Sequence, residues 1–151
     1  MSIISAQEAI ARLEAGNVVA IPTETVYGLA ARIDDAAALR HVFEVKQRPF
    51  FDPLIVHVAD VAQAKLLTRN WLEVYDVLVE AFWPGPLTFV ADKTEAVSPL
   101  ITSGLDTVAI RCPRHPVALQ ILREIHIPLA APSANRFGRV SAYLFSGNHL
   151  F

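Results

Sequence analysis

The chain has 151 residues, 53% of them hydrophobic, and a formal net charge of −2. That length supports one domain with a real buried core, and the near-neutral charge argues against wholesale nucleic-acid binding. No apolar run approaches the length of a membrane span, and a single cysteine, Cys112, excludes an internal disulfide.

The N-terminus, Met1 to Ser5, lacks the basic start and apolar core of a signal peptide. With one cysteine, a cytoplasmic setting is expected and no membrane association. The charge is unevenly spread. Residues 1–106 carry 8 Lys/Arg against 14 Asp/Glu, whereas residues 107–151 carry 5 arginines and one acid, Glu124. Either this is scatter on a solvated surface, or the later third faces an anionic ligand.

In chain order, Ser5-Ala6-Gln7-Glu8 is a capping box, followed by an apolar face of Ala9, Ile10 and Leu13 and a stop at Gly16. Val18 to Ile21 reads as a short buried strand ending at Pro22. Thr23 and Thr25 then share a side if the segment is extended, at a strand end where α/β sheets place ligands. The local chemistry also suits, and favours, both threonines capping a following helix. Asp34 or Asp35 caps a helix running to about Val45, with Leu39, Val42 and Phe43 inward. Leu54 to Val58 reads as a strand.

Asn70 is expected to cap a helix bearing Leu72, Tyr75, Leu78, Val79 and Phe82 at helical spacing. Trp83-Pro84-Gly85-Pro86 is a turn, read as a rigid structural corner. Leu87 to Ala91 and Thr107 to Arg111 are strands, Pro116 to Glu124 a helix, and Pro128 to Ala131 leads into a last strand. Alternating helices and strands give an α/β sheet with helices packed on it. The last ten residues, Ala142 to Phe151, show no clear period.

Two polar clusters stand out, Lys46-Gln47-Arg48-Pro49 and Pro132-Ser133-Ala134-Asn135. Proline pushes the residue before it toward extended geometry, so the helix leading to Arg48 should end near Lys46. In an extended segment Lys46 and Arg48 project two cations to one side, and Ser133 and Asn135 a hydroxyl and an amide. That set suits a polyphosphate. No P-loop, dinucleotide fingerprint or nucleophile elbow is present. The five histidines have no metal-ligand spacing, so no protein metal site is expected. His57, inside an apolar strand beside Ile55, reads first as a core residue. Arg111, at a strand end, requires a carboxylate or phosphate partner if buried, and a surface ion pair otherwise.

Taken together, the segments from about Ile10 to Ser141 resemble the YrdC-like family of threonylcarbamoyl-AMP synthases. The resemblance is carried in order by Ala20 to Leu29 (AIPTETVYGL), Lys46 to Pro49 (KQRP), Pro53 to Val58 (PLIVHV), Phe82 to Thr88 (FWPGPLT), Val108 to Arg111 (VAIR) and Ala131 to Asn135 (APSAN). It implies one YrdC-like domain over residues 1–151, with a twisted open mixed sheet and flanking helices around a large concave site. It also implies a nucleotidyltransferase that joins L-threonine, bicarbonate and ATP into threonylcarbamoyl-AMP and pyrophosphate, with Mg²⁺ arriving on the ATP phosphates. The product serves a transferase machinery that modifies tRNA. Residue by residue, the resemblance makes Thr25, His57 and Arg111 threonine contacts and Arg48, Asp52, Ala131, Ser133 and Ser141 ATP contacts. Lys46, Arg48, Ser133 and Asn135 form the catalytic signature, with Thr23 and Thr102 as lesser candidates.

Asp52 stands where the family often has asparagine. Ala142-Tyr143 replaces the usual Pro-Thr after Ser141, and the family domain usually continues beyond the point matching Phe151. Two other readings stay open. One is a module binding double-stranded RNA or tRNA, supported by the basic later third. The other is a catalytically incomplete domain that dimerises through its apolar end, Tyr143 to Phe145 and Leu150-Phe151.

Overall fold

The structure is a computed structural model that describes residues 4–47 and 52–135. Its six strands form one mixed sheet in the order β1-β2-β6-β3-β5-β4. These are β1 (Val19–Ile21), β2 (Gly28–Arg32), β3 (Ile55–His57), β4 (Thr88–Asp92), β5 (Thr107–Arg111) and β6 (Leu129–Ala130). β3 and β5 run parallel, and the other neighbouring pairs antiparallel. Six helices flank it: α1 (Ala6–Glu14), α2 (Ala36–Lys46), α3 (Val61–Leu67), α4 (Glu73–Phe82), α5 (Pro99–Thr102) and α6 (Pro116–Ile125). The expected α/β class and open mixed sheet are what the chain forms.

Local signals start most of the helices. The Ser5 hydroxyl accepts the Glu8 amide at 3.1 Å to open α1. Asp35 accepts the amides of Ala37 and Ala38 at 3.0 and 2.9 Å to open α2. Of the two aspartates the sequence offered there, Asp35 is the cap, while Asp34 pairs with Arg32 at 2.7 Å. α2 ends at Lys46, with Gln47 in the left-handed region at φ 53°.

Four elements depart from expectation. No helix follows Thr23 and Thr25; the chain turns into β2. Asn70 caps nothing, and α4 begins only after Leu72, without a side-chain cap. The reason is tertiary. Thr68 bridges Lys93, and the Arg69 amide donates to Asp92 O at 2.8 Å, which ties this stretch to the edge of β4. Leu72 and Phe82, expected inward, are more than half exposed, and Val79 is the buried residue of α4. α3 and α5 were not anticipated. A signal for α3 exists: Asp60 accepts the Gln63 amide at 2.9 Å, and Gln63 Oε1 accepts the Ala59 amide at 2.8 Å, a capping-box pattern shifted by one residue.

Strand alternation divides the core between the two faces of the sheet. Leu29, Ala31, Val56, Val108 and Ile110 pack with α2, α3 and α5 on one face. Ala30, Ile21 and Leu129 pack with α1 and α6 on the other, against Leu13, Ile121 and Leu122. On that second face Ile55, Thr107 and Ala109 remain partly exposed, and Val90 is exposed. Among the described residues, helices therefore cover the β1-β2-β6 half of this face and leave the β3-β5-β4 half accessible. The concave site lies at that boundary.

Replacing Asp35 by Ala removes an acceptor that serves two amides of α2, and is expected to lower stability by about 1 kcal/mol. Urea unfolding of the variant against the wild type measures it.

Candidate active site

The site begins with the loop that joins β1 to β2. Thr23 folds it from within: its hydroxyl accepts the amides of Thr25 and Val26 at 3.2 and 3.1 Å and donates to Val26 O. This is a hydroxyl-closed turn, which competes with helix formation for the same amides. It explains why the capping geometry expected of Thr23 and Thr25 serves a loop.

The turn presents Thr25 to Arg111. The Arg111 guanidinium donates from Nη1 to Thr25 Oγ1 at 2.9 Å and from Nε to Gly85 O at 3.3 Å. Its Nη2 lies 2.8 Å from Glu24 Oε1, and its side chain is only 9% exposed. Arg111 therefore has the buried carboxylate partner that a strand-end arginine requires, and it is not a surface ion pair. Glu24 also accepts the Arg114 amide at 3.0 Å. Burial pushes the Glu24 carboxyl upward, but Arg111 and the backbone amides outweigh it, and the pKa is lowered.

Gly85 belongs to the corner read as merely structural, and it does more than turn the chain. Its amide donates to Cys112 O at 2.8 Å while its carbonyl receives Arg111. A Cβ at Gly85 would sit 2.2 Å from Phe82 O, so only glycine fits there. The Trp83-Pro84 peptide of this corner is cis.

Parallel register sets His57 beside Arg111. His57 is buried, yet it faces the cavity and not the apolar core, and its Nδ1 has no protein partner among the described residues. Burial, then the positive charge of Arg111, pushes its pKa down to about 4. The imidazole is neutral at pH 7, able to give or accept one hydrogen bond.

Thr25, His57 and Arg111 line a cavity of about 290 Å³ together with Thr23, Val26, Gly28, Pro53, Ile55, Ala131, Pro132 and Ser133. Its far wall is the second polar cluster. Ser133 bridges Gly28, the Leu29 amide donates to Pro132 O at 2.8 Å, and the Ala134 amide donates to Tyr27 O at 2.6 Å. A Cβ at Gly28 would lie 3.2 Å from that of Ala131, so the close approach of the two segments favours glycine. The Ser133 hydroxyl donates to Asn135 Oδ1. Lys46, 3% exposed, donates from Nζ to the carbonyls of Ser133 and Asn135.

The structure thus joins Thr25, His57, Arg111, Ala131 and Ser133 in one cavity, with Thr23 at its edge and Lys46 and Asn135 behind Ser133. Asp52 and Thr102 do not line it. The Thr102 hydroxyl is buried at the end of α5 without a partner among the described residues. Arg48 and Ser141 lie outside the described residues. Two contributors, Glu24 and Gly85, were not singled out from the sequence. Among the described residues, no group of three or more His, Cys, Asp or Glu side chains is placed to hold a metal ion.

A family model, Sua5_yciO_yrdC, described as telomere recombination, matches residues 11–146. The chain belongs to this family. Threonylcarbamoyl-AMP synthase of Bacillus subtilis is 49% identical to it over 135 residues, which cover 89% of this chain and 39% of that protein. The synthase of Pyrococcus abyssi is 48% identical over 126 residues, covering 83% and 37%. The structure of P. abyssi Sua5 complexed with L-threonine superimposes with a TM-score of 0.88 at 46% identity, over 90% of this chain and 40% of that one. E. coli YciO shares the fold, with a TM-score of 0.78 at 21% identity. The chain spans about two fifths of the length of these synthase relatives.

Because the folded-state pKa of His57 lies below the unfolded value of 6.5, the unfolded chain binds the extra proton between the two. Stability is therefore expected to fall as pH is lowered from about 6.5 to about 4. Replacing His57 by Gln should flatten that part of the profile, measured by urea unfolding across the same pH range.

Proposed function

We propose that this domain carries out threonylcarbamoyl-AMP synthesis from L-threonine, bicarbonate and ATP. The observation that carries the reading is the buried Arg111 at the floor of the cavity, flanked by Thr25 and neutral His57. An arginine with donors left over is suited to receive a carboxylate through two parallel bonds. The threonine complex of the P. abyssi relative supports the choice of amino acid.

In the proposed reaction the threonine amine condenses with bicarbonate to a carbamate, with loss of water. A carbamate oxygen then attacks the α-phosphorus of ATP. The bond from that phosphorus to the β-bridging oxygen breaks, and pyrophosphate leaves. Arg111 binds the threonine carboxylate, Thr25 accompanies it, and His57 offers a neutral hydrogen-bonding nitrogen beside it. Ser133, backed by Asn135, and Ala131 would form the wall toward ATP.

Lys46 donates to the carbonyls of Ser133 and Asn135. In this reading it acts through that wall and through its charge. Arg48, Asp52 and Ser141 complete the ATP contacts on the strength of the family resemblance. Mg²⁺ enters with ATP as part of the substrate and neutralises charge on the departing pyrophosphate. Positioning and electrostatics carry the rate, as in other transfers at phosphorus.

The product would be consumed by a transferase that modifies tRNA. Arg111, one of the five arginines behind the basic surplus of the later third, points into the cavity, so part of that surplus serves a small anion and not an RNA surface. Among the described residues no helix is long and apolar enough to cross a membrane.

The test is pyrophosphate release with ATP and Mg²⁺, adding and omitting threonine and bicarbonate. Release is expected to require both; release independent of threonine would overturn the reading. Replacing Arg111 by Ala should weaken L-threonine binding by about tenfold or more, read by calorimetric titration.

A further inference from the structure

Glu24 stands behind Arg111 and does not line the cavity. Its side chain is 15% exposed, and its Oε1 lies 2.8 Å from Arg111 Nη2. Its Oε2 accepts the Arg114 amide, three residues past Arg111 in the chain. One carboxylate thus links the Thr23–Val26 turn to the segment just after β5, bracketing the arginine from both sides. The turn itself is rigid, because the Thr23 hydroxyl closes it.

A guanidinium has five N–H donors in a fixed plane. Here Gly85 O takes Nε, Thr25 takes one N–H of Nη1, and Glu24 sits against Nη2. Two hydrogen-bond acceptors and one carboxylate, from the β1-β2 turn and the Trp83–Pro86 corner, define the plane and leave N–H groups on both terminal nitrogens for a ligand. Without Glu24, two acceptors on neighbouring nitrogens remain, and the buried charge has no counter-ion. A buried cation that loses its partner is left uncompensated at high cost, which favours any movement that brings it to water or another acceptor.

We propose that Glu24 is a positioning residue for Arg111. It holds the guanidinium in the plane that receives an amino-acid carboxylate, and so sets the affinity for L-threonine without touching it. This rests on the reading of the cavity as a threonine site.

The experiment is calorimetric titration of L-threonine onto the wild type and the Glu24→Gln, Glu24→Asp and Glu24→Ala variants, with thermal melting in parallel. Threonine-dependent pyrophosphate release gives KM and kcat for the same proteins. Glu24→Gln keeps the shape of the side chain but removes the charge and one acceptor. It is expected to raise the Kd for threonine about tenfold, with KM for threonine rising in step and KM for ATP unchanged. Glu24→Asp, which keeps the charge, should recover part of the loss. A lowered melting temperature with unchanged threonine affinity in the Gln and Asp variants would assign Glu24 a structural role and overturn the proposal. A wild type that binds threonine while Glu24→Gln binds it equally well overturns this inference alone. A wild type that binds no threonine overturns the reading of the cavity, and this inference with it.

Discussion

A guanidinium removed from water must find acceptors and a counter-charge, and the site is built around that requirement at Arg111. The charge sits at the end of β5 with its side chain 9% exposed. Three otherwise unrelated pieces of chain meet it: the β1-β2 turn through Glu24 and Thr25, the Trp83–Pro86 corner through Gly85 O, and the sheet itself. Breaking a buried pair by removing one member is far costlier than never having built it. The arrangement is therefore cooperative. Burial, and after it the same charge, depress the pKa of neighbouring His57, so its imidazole is neutral. In the proposed reading, an amino-acid carboxylate entering the cavity would meet an oriented cation beside an uncharged hydrogen-bonding ring.

The second half of the site depends on a buried lysine in a comparable way. Lys46 ends α2, and its ammonium reaches the carbonyls of Ser133 and Asn135. The chain beyond β6 is thereby tied to the end of a helix far from it in sequence. The same segment is also stitched to the β1-β2 connection by the Gly28–Ser133 bridge and the Ala134–Tyr27 hydrogen bond. The Ser133 and Asn135 side chains thus stand on a backbone held from two directions. That is the kind of pre-organisation that transfer at phosphorus exploits.

The open half of one sheet face is what turns these contacts into a pocket. α1 and α6 cover the β1-β2-β6 side, and the accessible strands β3 and β5 carry His57 and Arg111 at matched register. A small residue permits the closeness of the walls, where Gly28 lies against Ala131.

Much of this was legible in the sequence where local chemistry decides. Ser5 and one of the pair Asp34 and Asp35 as caps, the inward Leu39, Val42 and Phe43, and the end of α2 at Lys46 follow from short-range hydrogen bonding and helical periodicity. The Ser-x-Asn pattern, Lys46 and the strand-end arginine, with the motifs in order, pointed to the family and to several side chains that the structure brings to the cavity or its wall, whereas Thr23 and Thr25 read locally as helix caps. Tertiary structure decided what distance in the chain conceals. Asn70 lost its helix because Arg69 is bound to Asp92 across the β4 edge. Thr23 closes a turn because β2 must return alongside β1. His57 faces a cavity because no helix of the described residues covers that side of β3. Glu24 gained its place only because residue 111 lies against residue 24. A sequence specifies its local hydrogen bonds directly, whereas a buried charge finds its partner only when the folded sheet brings remote segments together.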